Sequence, residues 1–377
     1  MADNSWVDQD QEDQTRSLTS ALTRHIAALV EAAGGFLSFD AYMAAALYTP
    51  GLGYYANGLR KFGLLPGDGS DFATAPQISP YFGRALARQV AQALQCTGCD
   101  EVWEFGAGSG ALAATLLDAL PDVRRYRIVE LSGDLRERQR VTLEAHAARV
   151  SWEDRLPARM AGVVIGNEVL DAMPVQLLAR GNGRWRERGV AWHDGALTWA
   201  ERDTALKPPL EVPGGHDYVT EIAPQVQAFV RTVMEALERG AAFLIDYGFP
   251  EAEYYHPQRD QGTLMCHRGH LSDTDPLHSP GLKDITAHVD FSAVALAAQD
   301  AGAQVLGYTS QARFLLNCGL LESLAHATLP ERAMAQKLIQ EHEMGELFKV
   351  IGLAARGWDD SPWQALGFDV GDRTHTL

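Results

Sequence analysis

The stretch Glu104-Phe105-Gly106-Ala107-Gly108-Ser109-Gly110 decides the fold. Ahead of it, Glu101 to Phe105 reads as a short apolar strand; behind it, Ser109 to Leu120 sets Leu112, Leu116 and Leu120 on one helix face. A strand running through closely spaced glycines into a helix lets the backbone approach a ligand and aims the helix N–H groups at it. Outward from this unit the rhythm repeats. Tyr126 to Leu131 predicts a strand, Leu135 to Ala148 a helix and Ala161 to Gly166 a strand. Residues 224 to 238 predict a helix carrying Val226, Phe229, Val230, Val233 and Leu237, and Ala241 to Tyr247 a further buried strand. Alternation of this kind implies an α/β fold, a parallel sheet covered on both faces.

The turn alone leaves two ligands open. Gly106, Gly108 and Ala111 satisfy the relaxed dinucleotide pattern, and the same backbone suits S-adenosylmethionine. Glu104 favours the second, because a carboxylate just before the first glycine repels a pyrophosphate but suits the cationic methionyl end of S-adenosylmethionine. Glu130 ends the next strand, where a carboxylate can accept both ribose hydroxyls of either ligand. Glu104, Gly106, Ala107, Gly108, Gly110 and Glu130 are therefore the candidate cofactor residues. A nicotinamide oxidoreductase is the alternative.

On the N-terminal side, Leu18, Leu22, Ile26, Leu29 and Val30 mark one helix face that stops at Gly34-Gly35, and the first dozen residues read as a loose tail. A second helix follows Ser38, then a glycine-rich loop extends to Ser70, and a third helix runs from Pro80 to about Leu94. Two insertions interrupt the later pattern. Residues 184 to 202 predict a β-hairpin, with Trp192 and Trp199 flanking Asp194-Gly195. Residues 250 to 290, rich in Gly, Pro and His, suggest either a lid over the site or an ordinary connecting loop. The expected division is 1–99 as tail, helices and site-proximal loop, 100–250 as ligand-binding core with the hairpin, and 251–377 as substrate loop and completion of the sheet.

The net charge of −17 argues against a hold on nucleic acid; it would favour a basic partner, but a surplus of acid that keeps the protein soluble accounts for it better, so charge alone identifies no substrate. The acidic, polar opening residues resemble neither a secretory signal nor an organelle presequence, and no apolar run reaches the roughly 20 residues a spanning helix needs. A cytoplasmic location is the expectation. Cys96-Thr97-Gly98-Cys99 has the spacing of a redox or zinc pair, but Cys266 and Cys318 supply no second pair, so no metal site is expected.

Further along, Val164-Ile165-Gly166-Asn167-Glu168-Val169-Leu170-Asp171-Ala172-Met173-Pro174 resembles the MidA-like family of methyltransferases, which includes mitochondrial complex I assembly factors. Asp71-Phe72-Ala73-Thr74-Ala75-Pro76, Asp246-Tyr247-Gly248, Gly262-Thr263-Leu264 and Asp284-Ile285-Thr286-Ala287-His288-Val289-Asp290-Phe291 match as well, so the likeness runs from about residue 36 to about 325. The resemblance implies a seven-stranded class I S-adenosylmethionine methyltransferase fold, Rossmann-like, with a helical N-terminal segment and insertions. It also implies methylation of arginine on a protein partner related to a respiratory-complex subunit. Thr74 falls on the cofactor side in this reading. Gln77 stands where the family commonly has an acid. For an arginine acceptor, carboxylates would hold the planar guanidinium, with Glu168 the first candidate, Asp171 the second and Asn167 beside them. The same three residues also read as a capped helix start. Rival functions are methylation of a small molecule and a non-catalytic assembly protein that keeps the cofactor fold.

Overall fold

The computed structural model describes residues 5–59, 73–356 and 363–377, with side chains described from residue 13 onward. Seven strands form its central sheet: β1 Glu101–Phe105, β2 Arg125–Val129, β3 Val150–Glu153, β4 Met160–Asn167, β5 Leu237–Phe249, β6 Gln304–Ser310 and β7 Phe348–Ala354. They lie in the order β6-β7-β5-β4-β1-β2-β3, parallel except for β7, which runs antiparallel to both β5 and β6. The two-residue strand Val289–Asp290 adds a parallel extension beside the end of β5.

Both faces of this sheet are buried, and neighbouring residues on a strand go to opposite cores. Val102, Val163, Ile165 and Phe243 join the helix Pro80–Thr97 and the helix Ala111–Ala119 on one face. Trp103, Val164 and Leu244 join the helix Pro224–Ala236 and the helix Phe291–Asp300 on the other. Each fully buried side chain of this size contributes about 1.5–3 kcal/mol, which is why these strands read as unbroken apolar runs. From β1 the chain moves outward through β2 and β3, then returns to β4 on the other side of β1. The reversal opens a crevice at the carboxyl ends of β1 and β4, where open α/β sheets bind ligands.

A second, antiparallel sheet is built from Gln176–Gly181, Arg184–His193, Ala196–Asp203, Tyr218–Ile222 and the short Leu37–Ser38. It contains the expected hairpin. Asp194 and Gly195 both take positive φ, 48° and 80°, as a tight two-residue turn requires. The N-terminal helix and the helix Phe39–Tyr48 bury Leu22, Ile26, Val30 and Tyr42 against Val175, Leu177 and Val190 of this region. The expected tail is corrected here: the N-terminal helix spans Ser5–Ala32, so from Ser5 onward the opening residues are helical.

Residues 250–290 are neither a bare lid nor a plain loop. They contain the helix Glu251–Tyr254 and a three-stranded sheet of Met265–Arg268, Leu271–Asp273 and Asp284–Thr286. Cys96-Thr97-Gly98-Cys99 is the end of a helix: Gly98 adopts φ 62°, and the Cys99 N–H reaches the Leu94 carbonyl at 3.2 Å. Much of the glycine-rich loop, with Asp71 and Phe72, lies outside the described residues.

Candidate active site

A cavity of 1360 Å³ opens over the carboxyl ends of β1, β2 and β4. Every sequence-predicted residue among Glu104, Gly106, Ala107, Gly108, Glu130, Thr74, Asn167, Glu168 and Asp171 lines it. Gly110 sits just behind, at the start of the helix Ala111–Ala119.

The turn after β1 is made by glycine's freedom. Gly106, Gly108 and Gly110 take φ of 64°, 52° and 83°, a left-handed sequence that side-chain-bearing residues resist. At Gly106 a Cβ would stand 2.9 Å from Val169 Cγ2, so the turn after β1 packs directly on the turn after β4. Glu104 is buried, and its Oε2 accepts a hydrogen bond from the Tyr126 hydroxyl at 2.7 Å. Burial drives its pKa up to about 7; the Tyr126 bond opposes that and the nearby Glu130 adds to it.

Glu130 is fixed at the end of β2. Its Oε1 accepts from the Ser132 N–H at 2.9 Å and its Oε2 from Gln139 Nε2 at 3.2 Å. The same Gln139 amide donates to the Gly108 carbonyl at 3.1 Å, while its Oε1 accepts from Trp152 Nε1 at 2.8 Å. One buried glutamine therefore locks Glu130 to the glycine turn, and no sequence pattern singled it out. Thr74 begins the short helix Ala75–Ile78, where its N–H donates to Gln77 Oε1 at 3.3 Å. Gln77 Nε2 in turn donates to Ser109 Oγ at 3.3 Å, so the residue that replaces the family's acid braces the glycine turn.

The turn after β4 carries the second half of the site. Glu168 has φ 54°, an uncommon backbone state for a residue other than glycine, and its N–H donates to the Ile245 carbonyl at 2.9 Å. Its Oε1 accepts from Asn167 Nδ2 at 3.0 Å, while Asn167 Oδ1 is buried and meets no hydrogen-bond partner among the described residues. Burial, then the charge of Asp171, raises the Glu168 pKa to about 8; bonds from Asn167 and from the Ala75 N–H hold it back only partly. Asp171 is raised also, chiefly by burial, and its Oδ2 accepts from the Tyr247 hydroxyl.

Beneath them lies Asp246, fully buried on β5. Its Oδ2 accepts from the N–H groups of Leu170 and Asp171 at 2.9 and 3.2 Å, and its Oδ1 from its neighbour Tyr247 at 3.0 Å. No helix starts at residues 167–173, so the reading of Asn167, Glu168 and Asp171 as a capped helix start is corrected: the segment is a turn, and Asp246 rather than Asn167 accepts from its N–H groups. The Asp246-Tyr247 pair was legible only as part of a matching motif, without a task. The strand Asp284–Thr286 and His288 complete the wall; burial depresses the His288 pKa to about 4, leaving the imidazole neutral.

The described residues lining the cavity include eight carboxylates, Glu104, Glu130, Asp134, Asp154, Glu168, Asp171, Asp284 and Glu343, against one guanidinium, Arg155. A low-dielectric cleft of one sign concentrates ligands of the other, so the site is built for cations. Among the described residues no cluster of His, Cys, Asp and Glu is arranged to hold a metal ion, and no helix is long and apolar enough to cross a membrane.

The comparisons with known proteins bear on the same region. Residues 85–309 match a family model described as "Putative S-adenosyl-L-methionine-dependent methyltransferase". A solved structure from Burkholderia thailandensis, bound to S-adenosyl-homocysteine, is 52% identical and covers 97% of this chain and 98% of its own, with a TM-score of 0.91. The mitochondrial protein arginine methyltransferase NDUFAF7 of Danio rerio is 27% identical, over 89% of this chain and 87% of its own length. The Drosophila melanogaster homologue is 28% identical, over 83% and 80%. The cavity's features fit the ligand of the first two: glycines leave the backbone bare at the turn, carboxylates end β1 and β2, and cationic groups suited to a pyrophosphate are scarce among the described lining residues.

Proposed function

This chain belongs to the family of S-adenosyl-L-methionine-dependent methyltransferases, and from that premise we propose that it methylates arginine side chains of a protein partner. When bound, S-adenosylmethionine supplies a methyl group already activated by the positive sulfonium. The chain's own task is to hold the acceptor nitrogen in line and keep water away.

The observation that carries the arginine reading is the pairing of Glu168 with Asp171 on the cavity wall beside the glycine turn, with Asn167 Oδ1 adding an acceptor that meets no donor among the described residues. A guanidinium offers five N–H donors in one plane and no acceptor, which suits such a wall. In this reading Glu168 and Asp171 bind and orient the fork, and Glu168, with a pKa near 8, takes the proton that the methylated nitrogen releases. Asp246 and Tyr247 hold the turn in place from beneath. Glu104, Gly106, Ala107, Gly108, Gly110, Glu130 and Thr74 form the cofactor half. The names of the curated relatives support the same acceptor.

A cytoplasmic setting and a protein acceptor related to a respiratory-complex subunit belong to the same proposal. The test is mass spectrometry of methylated arginines in cells with and without this chain. At least one arginine site should lose its methylation when the chain is absent. An unchanged arginine methylome beside a missing methylated metabolite would replace the proposal with a small-molecule acceptor.

A further inference from the structure

Gly262-Thr263-Leu264 and Ala287-His288-Val289 have no task in the reading above, yet both lead to the acceptor wall of the cavity. That wall is hung on Glu221, fully buried in the strand Tyr218–Ile222 of the antiparallel sheet. Glu221 Oε1 accepts from the Thr263 and Leu264 N–H groups at 2.9 and 3.1 Å, and its Oε2 from the Thr263 and Tyr254 hydroxyls at 3.1 and 3.2 Å. A buried carboxylate with this many donors holds one geometry, because each lost bond leaves a polar group dry. Gly262 makes the approach possible: it has φ 74°, and a Cβ there would run into Glu221 Oε1.

Thr263 hands this order on. Its Oγ1 donates to Glu221 and accepts the His288 N–H at 3.1 Å. Beside His288, Val289 pairs with Gly248, where a Cβ would run into the Val289 carbonyl. The His288 ring lies parallel to Phe249, with centroids 5.3 Å apart, and edge-on to Tyr247 at 5.0 Å. Phe348 meets the Tyr247 ring at 5.3 Å, so contacts at 75° and 77° settle which way Tyr247 points. Its hydroxyl donates to Asp171 Oδ2. The backbone of that turn is fixed independently. The Asp171 N–H bonds Asp246, its carbonyl accepts from the Ala287 N–H at 3.0 Å, and the Ala172 carbonyl accepts from Tyr48, on whose ring Tyr55 stacks at 5.7 Å. What Tyr247 adds is a hold on the Asp171 carboxyl itself.

We propose that Thr263, anchored by Glu221, is a positioning residue of the acceptor site: through His288 it sets Tyr247, and through Tyr247 the orientation of the Asp171 carboxylate. The proposal rests on the reading of Asp171 as an acceptor-site residue and holds for any acceptor that Asp171 binds.

Two measurements on the full chain test it, with S-adenosyl-homocysteine affinity within twofold of wild type as the sign of a folded variant. The first follows the carboxyl-carbon NMR signal of Asp171 against pH, assigned by its loss in Asp171→Asn. The Tyr247 bond holds the Asp171 pKa down against burial, so Tyr247→Phe should move the midpoint upward by about half a unit or more. Glu168 and Asp246, whose charges face Asp171, stay in place. Thr263→Val, which keeps the shape and removes the hydroxyl, should move the midpoint in the same direction, and Thr263→Ser should restore it. The second measures tritiated-methyl transfer from S-adenosylmethionine into protein from cells that lack the chain. Thr263→Val should lower the rate by about tenfold, and the double variant with Tyr247→Phe should fall no further than Tyr247→Phe alone. A folded Thr263→Val with the wild-type midpoint, or losses that multiply in the double variant, overturns the positioning role alone. Unchanged transfer by both Tyr247→Phe and Asp171→Asn sinks the acceptor reading of Asp171, and the proposal with it.

Discussion

Glu168 concentrates the site's tension in one residue. Its backbone occupies the left-handed region at a cost of about 1–2 kcal/mol, and its carboxyl is held partly dry beside Asp171. Strain of both kinds persists only where the surroundings impose it, here the Ile245 carbonyl and Asp246 beneath the turn. If Glu168 orients the acceptor and takes its proton, Glu168→Gln should lower kcat by about a hundredfold or more while S-adenosyl-homocysteine affinity stays within twofold. Calorimetry and single-turnover transfer read the two separately. The raised pKa gives a sign to the pH dependence. Below about 8 the free enzyme holds Glu168 protonated, so kcat/KM should rise with pH up to that point. A bound cation should move the same limb in kcat to lower pH. The stability effect runs the other way. A carboxyl whose folded pKa lies above its unfolded value contributes stability that is full below the unfolded pKa, near 4.5, and is lost as pH rises through about 8. The Tm of Glu168→Gln relative to wild type should therefore be more favourable at pH 9 than at pH 5.

Between single residues and the whole sheet stand the two turns that meet at Gly106 and Val169. Gly106→Ala places a methyl 2.9 Å from Val169 Cγ2 in a backbone state alanine resists. It should weaken cofactor binding at least tenfold, with a Tm loss of only a few degrees. Gln139→Leu should have a related effect, since it cuts the bonds to both Glu130 and Gly108; cofactor titration of each variant checks this. The glycine turn was legible because its chemistry lies in adjacent residues. So were β1, β4 and the core of β5, whose apolar runs follow from burial on both faces. Gln139 was not legible, because its partners come from β2, the glycine turn and Trp152, which only the fold brings together. The helix predicted from Leu135 to Ala148 starts earlier and ends sooner, at Gly133–Thr142: Ser132 caps the earlier start by accepting from the Leu135 N–H at 3.4 Å, and beyond Leu143 the chain continues as the 3-10 turn Glu144–His146.

Across the whole molecule, the N-terminal helices, the antiparallel insertion and the small sheet form one apolar cluster that supports the acceptor wall, while the central sheet carries the cofactor half. Leu22 is fully buried in that cluster, and Leu22→Ala should cost about 2–5 kcal/mol in urea unfolding. Less of this scale was legible in the sequence. The small sheet hides in residues 250–290 because its strands have three or four residues each, too few for a period to show. Tyr48 and Tyr55 carry no motif, and they enter the site only through packing over more than a hundred positions of sequence. The claim that joins both halves is that this chain moves a methyl group to arginine through Glu168. It is tested most directly by supplying tritiated S-adenosylmethionine to protein from cells that lack the chain, adding wild type or Glu168→Gln, and hydrolysing the protein to amino acids. The account predicts label in methylarginine with wild type and almost none with Glu168→Gln. Label in another amino acid, or equal label with the two proteins, would contradict it.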